Sequence, residues 1–463
     1  MKAWRISMWR DGSKICNFLI ILFLVLSIFI LNRMKSQYCP SPYGKAKELV
    51  KLEKPRKGEK NQLTVEKRQS SIEEDEDDEE EKNANIIHEP ICQELNKRSD
   101  TCDARGDVRI QSINHTIFIN STKKEWKIKP YARKGDDMGA LSHVSEWSLK
   151  PFVQVPNCTL KQDIPAVIFS INGYTGNMFH DFTDVIIPLF ITTHQFHGRV
   201  QLLVTDTKPW WANKYKMILN QLSTHEPIDL AKDDSETIRC FPRVITGLHF
   251  HKELGVDSSK SPTGYSIVDF KVLLRKACGL ERAATVLSSV RKPRLLIISR
   301  NHSRSFVNEK GIVGMAAGLG FEVVVGEAGV STDVSKFARL VNSADVLMGV
   351  HGAGLTNMVF LPSGAVVIQI VPYGGLEWLA RETFMKPSRE LELKYLEYRI
   401  QEEESTLIDQ YSREDPVLRD PERVHKKGWN AMKTVYLEKQ NVRPRLDRLK
   451  NTLMEALKLL RAA

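Results

Sequence analysis

Val346-Leu-Met-Gly-Val-His-Gly-Ala-Gly-Leu-Thr-Asn-Met-Val-Phe-Leu-Pro-Ser-Gly364 runs from an apolar, strand-like stretch straight into a glycine-rich turn carrying His351, Thr356 and Asn357. Gly352 and Gly354 let the main chain take positive φ and approach a ligand closely, while the N–H groups opening the next helix point at whatever sits there. Strand, glycine turn and helix in that order make a unit of a parallel α/β sheet and a cradle for an anion such as a diphosphate.

Short β-branched runs alternate with longer mixed segments on both sides of this unit, the pattern of βα repeats. Arg294–Ser299, Phe321–Val325, Asp345–Val350 and Val366–Val371 are strand candidates, and so are Ala166–Ile171 and Val200–Thr205 around an amphipathic segment from Asn177 to Gln195. Val334–Val341 predicts a helix with Ser331 or Thr332 as its N-cap. The spacing gives two Rossmann-like domains facing a cleft, 143–288 and 289–400, joined near Ser288–Pro293. In the closing segment, 401–463, Leu446, Leu449, Leu453, Leu457 and Leu460 form one apolar stripe of a helix that docks on its own domain or, alternatively, on a partner.

The chain has 463 residues, enough for a large core, and 67 Lys and Arg against 57 Asp and Glu, a surplus of 10. That surplus suits anionic partners without choosing among them. Ile15–Leu31 is uncharged over 17 residues and predicts an uncleaved signal anchor, with a cleaved signal peptide as the alternative. Residues 1–14 carry Lys2, Arg5, Arg10 and Lys14 and so predict a cytosolic tail, which leaves everything beyond the anchor lumenal. Residues 32–90, with the acidic run Glu73–Glu81, predict a disordered stem, and 91–142 an extension packing on the catalytic part. Sequons at Asn114, Asn120 and Asn157 agree with a lumenal address; a fourth, Asn301, lies where a glycan would obstruct the expected ligand site. Outside the anchor six cysteines remain, Cys39, Cys92, Cys102, Cys158, Cys240 and Cys278, whose pairing spacing alone does not decide.

Polar residues at strand ends carry the chemistry in open parallel sheets. Gly176-Asn-Met-Phe-His-Asp-Phe-Thr-Asp184 sets His180, Asp181 and Asp184 at a helix start, where a neutral imidazole oriented by a carboxylate is a general base for a hydroxyl. The competing reading is a satisfied buried histidine with aspartates complementing the helix dipole. Arg300 and Arg304 leave the Arg294–Ser299 strand with forks suited to a diphosphate, or else are ordinary loop arginines. An esterase reading of His351–Gly354 fails for want of any Gly-x-Ser-x-Gly elbow. His249-Phe-His251 lacks a third metal ligand, and no nucleic-acid-binding pattern is present.

Taken together, Asn177–Asp184, Ile298–Arg300 with Arg304–Glu309, and Gly349–Asn357 resemble the plant glycosyltransferase family 61, over Lys129 to about Arg448. Lys129–Lys134 and Val371–Gly374 match as well. The resemblance implies an inverting transferase of GT-B type in the Golgi membrane, independent of metal or other cofactor, moving xylose or arabinofuranose from a UDP-pentose donor to xylan. It carries His180 and Asp181 over as base candidates, and Arg300, Arg304, His351, Gly352, Ala353, Gly354, Leu355, Thr356 and Asn357 as donor-binding residues. Closure of the domains on the donor would follow. Other readings are a transferase of xylose or N-acetylglucosamine onto protein-linked glycans, or a silent scaffold among other xylan-synthesising enzymes.

Overall fold

The computed structural model describes residues 91–462 apart from 95–96, 121–123, 136–137, 287–290, 328 and 330–331. The expected cytosolic tail, the Ile15–Leu31 anchor and the acidic stem lie outside the described residues. Among the described residues no helix is long and apolar enough to cross a membrane.

The architecture is mixed α/β, built on two sheets. The strands in chain order are β1 Ile91–Glu94, β2 Asp100–Gln111, β3 Thr116–Ile119, β4 Trp126–Ile128, β5 Trp147–Pro151, β6 Leu160–Lys161, β7 Ala166–Phe169, β8 Gln201–Val204, β9 Ile228–Asp229, β10 Ile238–Thr246, β11 Arg294–Ile298, β12 Glu322–Gly326, β13 Val346–Val350, β14 Val366–Val371 and β15 Lys394–Arg399. The last five form an all-parallel sheet in the order β12-β11-β13-β14-β15. Its central strands are apolar on both faces because helices cover both; β13 and β14 are buried at every residue. Gln369 stands alone as a polar residue in β14.

The other sheet runs β4-β5-β3-β2-β10-β7-β8-β9, with β1 on β2 and β6 on β10. β10, β7, β8 and β9 are mutually parallel, whereas β2 pairs antiparallel with β10 and β3. The segment 91–142 therefore supplies β1 to β4 to this sheet as hydrogen-bonded strands. Disulfides Cys92–Cys102 and Cys158–Cys240 pin β1 to β2 and the approach to β6 to β10, and Cys278 is a buried free thiol.

One apolar core crosses between the two sheets. Val167 and Phe169 of β7, Leu296 and Ile298 of β11, and Leu355 and Met358 beyond β13 belong to it, and the rings of Phe182 and Phe360 meet at 5.9 Å. Moving the halves apart as independent bodies would expose that core, at about 1.5–3 kcal/mol for each large side chain uncovered. This sets a cost on the domain closure that the sequence suggests.

Two local expectations change and a third holds. The Asn177–Gln195 segment is helical, but Asp181–Ile186 is a π-turn between Met178–His180 and Ile187–Thr193, with Pro188 near its exit. The helix Val334–Asn342 is capped by Asp333, whose carboxylate accepts the Lys336 N–H at 3.0 Å, and not by Ser331 or Thr332. The helix Leu446–Arg461 docks through Leu449, Leu453 and Leu460 on the five-stranded sheet, while Leu446 stays partly exposed.

The Cys158–Cys240 bridge closes a separation of 82 residues, so its loss mainly frees the unfolded chain. Cys158→Ser should lower unfolding stability by about 2–4 kcal/mol in urea titrations; an unshifted midpoint would show that the bridge does not constrain the denatured state.

Candidate active site

Strand order reverses about β11, which has β12 on one side and β13 on the other. Such a switch point opens a crevice at the carboxyl ends, and Arg300 and Arg304 leave β11 there beside His351 and Gly352 leaving β13. Gly352 has φ 144°, and a Cβ on it would stand 2.7 Å from Arg304 Nη1 and 3.1 Å from Arg300 Nη1. A side chain here would have to displace the guanidinium groups, on a backbone that favours glycine.

Arg304 Nη1 donates to the His351 carbonyl at 2.9 Å, and Arg300 Nε to the Ser303 carbonyl at 2.9 Å. Among the described residues neither arginine forms an ion pair with a carboxylate, and Arg304 Nε is buried without a partner. Burial pushes both guanidinium groups below their ordinary range, and Arg300 adds its repulsion to Arg304. Two partly desolvated like charges facing one glycine form a site that an anion would relieve.

The backbone at Arg304 is left-handed, φ 58°, an uncommon state for a side chain of this size. A strap from the C-terminal region holds it there: Arg304 N–H donates to the Gln440 carbonyl, Ser305 N–H to Asn441 Oδ1 at 3.0 Å, and Val442 N–H to the Ser305 carbonyl at 2.9 Å. Gln440 also exchanges hydrogen bonds with Tyr373 in the loop after β14, so one buried amide joins both loops.

His351 is buried, and its Nδ1 lies 2.7 Å from Gln369 Nε2. The Tyr395 hydroxyl lies 2.8 Å from Gln369 Oε1 and 3.2 Å from Glu397 Oε2; with its hydrogen on the nearer Gln369 oxygen, the amide N–H faces the imidazole and the ring proton sits on Nε2. Burial, then Arg304 and Arg300, press the imidazole down to about 3, so it is a neutral donor at working pH.

The rest of the glycine-rich stretch divides. Ala353 and Gly354 are partly exposed beside the arginines, where the chain enters a 3-10 helix, Ala353–Phe360. Leu355 is a core residue, against its assignment to donor binding, because a helical turn must bury one apolar face. Asn357 donates back to the Gly354 carbonyl at 2.8 Å and braces the turn from inside, while the buried Thr356 hydroxyl has no partner among the described residues.

Across the crevice, His180 Nδ1 meets Asp184 Oδ2 at 2.9 Å. Asp184 is fully buried and also accepts from Tyr131 Oη at 2.9 Å and Arg133 Nε at 2.8 Å. Burial pushes its carboxyl up, yet the His180 hydrogen bond and the Arg133 guanidinium outweigh that and hold it below the usual carboxylate range. An ionised Asp184 fixes the proton on Nδ1 and leaves the Nε2 lone pair free, on a side chain 19% exposed. Tyr174 covers one side of the ring at 4.4 Å.

Asp181 does not share this role. It already accepts from Trp211 Nε1 at 2.9 Å, Tyr215 Oη at 2.8 Å and the Gly176 N–H at 3.1 Å, and at 1% exposure it is closed to a substrate. Burial raises its pKa over the pull of those donors. The partner of His180 is four residues on, the spacing that faces side chains along a helix.

Phe384 links the two halves of the site, its ring 5.9 Å from Phe179 and 5.5 Å from His351. Arg133, Gln369, Tyr395 and the Gln440–Val442 strap carry no role in the sequence reading. A lone glutamine inside Val-Val-Ile-Gln-Ile-Val was the one local signal among them. Asn114, Asn120 and Asn157 are all exposed. Among the described residues no group of three His, Cys, Asp or Glu could hold a metal ion.

Residues 178–368 match the family profile described as glycosyltransferase 61. An alpha-1,3-arabinosyltransferase of Oryza sativa subsp. japonica is 48% identical over 80% of this chain and 65% of its own length, so the chain spans just under two thirds of that relative. A beta-1,2-xylosyltransferase of the same organism is 40% identical over 80% of this chain and 84% of its own. Among solved structures, the dodecameric iron-containing heptosyltransferase TibC aligns with 78% of this chain and 94% of its own at a TM-score of 0.29 and 10% identity, a likeness from which nothing is drawn.

Inorganic sulfate, whose charge is constant near neutrality, probes the arginine pair directly. Its affinity should be flat from about pH 5 to about pH 8, because an imidazole pressed down to about 3 stays neutral there. Arg304→Gln should weaken it about tenfold to a hundredfold by calorimetry. Affinity that rises toward the acid end, and loses that rise in His351→Gln, would show instead that His351 takes up a proton.

Proposed function

The chain belongs to the glycosyltransferase 61 family, and from that premise we propose that it is a glycosyltransferase moving a pentose, xylose or arabinofuranose, from a UDP-sugar onto xylan. The observation that carries this reading is the pair of half-buried guanidinium groups, neither in an ion pair among the described residues, that converge on Gly352 across a crevice from the Asp184-bonded imidazole of His180. The arabinosyl and xylosyl activities of the rice relatives favour a pentose.

In this reading the two sheets are the halves of a GT-B type enzyme, and the reaction is one displacement. His180 Nε2 takes the proton of an acceptor hydroxyl as its oxygen bonds to the anomeric carbon. The bond from that carbon to the diphosphate oxygen breaks, and the electron pair stays on the departing UDP. Arg300, Arg304 and the His351 Nε2–H take up the charge that develops on that oxygen, so no metal is invoked. Attack opposite the leaving group inverts the anomeric centre. Asp184 keeps the imidazole in the basic tautomer, and Arg133 keeps Asp184 charged.

The Ile15–Leu31 segment and the sequons support a type II Golgi membrane protein with a glycosylated lumenal domain, which is where xylan side chains would be added. Other xylan-synthesising enzymes are partners in keeping with that address.

The full chain incubated with xylohexaose and either UDP-xylose or UDP-arabinofuranose should yield a product one pentose heavier by mass spectrometry. No product with either donor would sink the xylan reading. His180→Ala and Asp184→Asn should each lower kcat by about 10²–10⁴-fold with donor KM little changed, whereas Asp181→Asn should mainly lower thermal stability. Gly352→Ala, by displacing both guanidinium groups, should raise donor KM; a wild-type KM would separate the glycine from the arginines.

A further inference from the structure

A cleft of about 380 Å³ opens at the carboxyl ends of β7 and β8, where Ile171, Val204 and Thr207 form its floor. Its size is that of a small-ligand site, roughly 300–1,000 Å³. The same strand edge delivers the loop into His180, since Ile171 directly precedes Asn172–Asn177. One wall is the helix Pro209–Leu222, through Asn213 and Asn220, both exposed.

The charges around the cleft cancel. Lys216 pairs with Glu226 at 3.1 Å, Lys232 with Asp229 at 3.8 Å and Arg239 with Asp233 at 2.5 Å, three cations against three carboxylates. Each cation lining the cleft thus has a carboxylate beside it, in contrast to the arginine pair at Gly352. What remains available is neutral and hydrogen-bonding: two amides and the Thr207 hydroxyl, which is buried without a partner among the described residues.

An aromatic surface adjoins the turn that leads to the base. Trp210, at the start of the same helix, is 41% exposed, although its neighbour Trp211 is buried under Asp181. The edge of its indole stands 3.4 Å from where a Cβ of Gly176 would be, in the turn that leads to His180. An exposed indole with one flat face offers dispersion contact to the C–H face of a sugar ring, and such faces on soluble proteins commonly mark recognition.

Resting on the pentosyl-transfer reading, we propose that this cleft and Trp210 bind the acceptor chain beyond the residue being modified, as a neutral, hydroxyl-rich glycan several sugars long. The acceptor stacks on Trp210 as it leaves His180 and continues along Asn213 and Asn220. The enzyme then selects polymer over short fragments by contacts distant from the reacting hydroxyl.

Binding is measured by calorimetry in Arg300→Ala, which removes one of two repelling charges at the donor site and leaves the cleft intact, so affinity does not depend on turnover. Xylohexaose should bind about tenfold tighter than xylobiose, as one or two added hydrogen bonds or a stacked ring would give. Adding Trp210→Ala with Asn213→Ala should bring that ratio near one, and Trp210→Phe alone should keep most of it. Equal affinity for the two lengths, or an undiminished ratio in the double replacement, overturns the proposal. Failure of the functional reading shows separately, as absence of pentose transfer by the wild-type chain to either oligosaccharide.

Discussion

Two half-buried guanidinium groups set side by side, neither in an ion pair among the described residues, are the constraint around which the C-terminal half of this protein is arranged. An unpaired buried charge costs several kcal/mol, and a second of the same sign beside it adds repulsion. The fold meets that cost only in part. Arg304 has the His351 carbonyl, Arg300 has that of Ser303, and Gly352 gives up its side chain to make room. A carboxylate bonded to either guanidinium would be a simpler solution for stability; Glu327 and Glu438 act on the pair through charge alone, with no ion pair among the described residues, which leaves positive potential available to a ligand.

That arrangement depends on elements far apart in sequence. Arg304 is held in a left-handed backbone state by Gln440 and Asn441, and the imidazole of His351 is turned by Gln369, itself held by Tyr395 on the neighbouring strand. Backbone strain and neutral-histidine orientation are thus supported from behind by buried amides, which donate and accept at once without adding charge. Ionised side chains in those places would compensate the arginines and weaken the site.

The His180 side uses the opposite strategy. Here the buried carboxylate is present and heavily bonded, with Tyr131, Arg133 and His180 all directed at Asp184. Its charge is fixed by those partners and gives the Nδ1–H of a partly exposed imidazole one defined acceptor. Asp181, one residue from His180, is tied just as firmly but by Trp211 and Tyr215 of another helix, and serves to seat the π-turn. The two aspartates have the same chemistry and opposite uses because they face different neighbours.

Strand positions, the glycine-rich turn and the convergence of Arg300, Arg304 and His351 were legible in the sequence, because each follows from local pattern: apolar runs the length of a strand, glycine where a side chain would collide, and polar residues at strand ends. The i,i+4 spacing of His180 and Asp184 was equally present, although burial was needed to choose Asp184 over Asp181. Tertiary structure alone decided that Leu355 belongs to the core, that β1, β2 and β3 join the sheet, that Arg133 charges Asp184, and that a strap more than 130 residues away shapes the Arg304 loop. Each of those is a contact between segments remote in the chain. Local periodicity carries no record of which distant group will be there to accept a proton, donate one or exclude water.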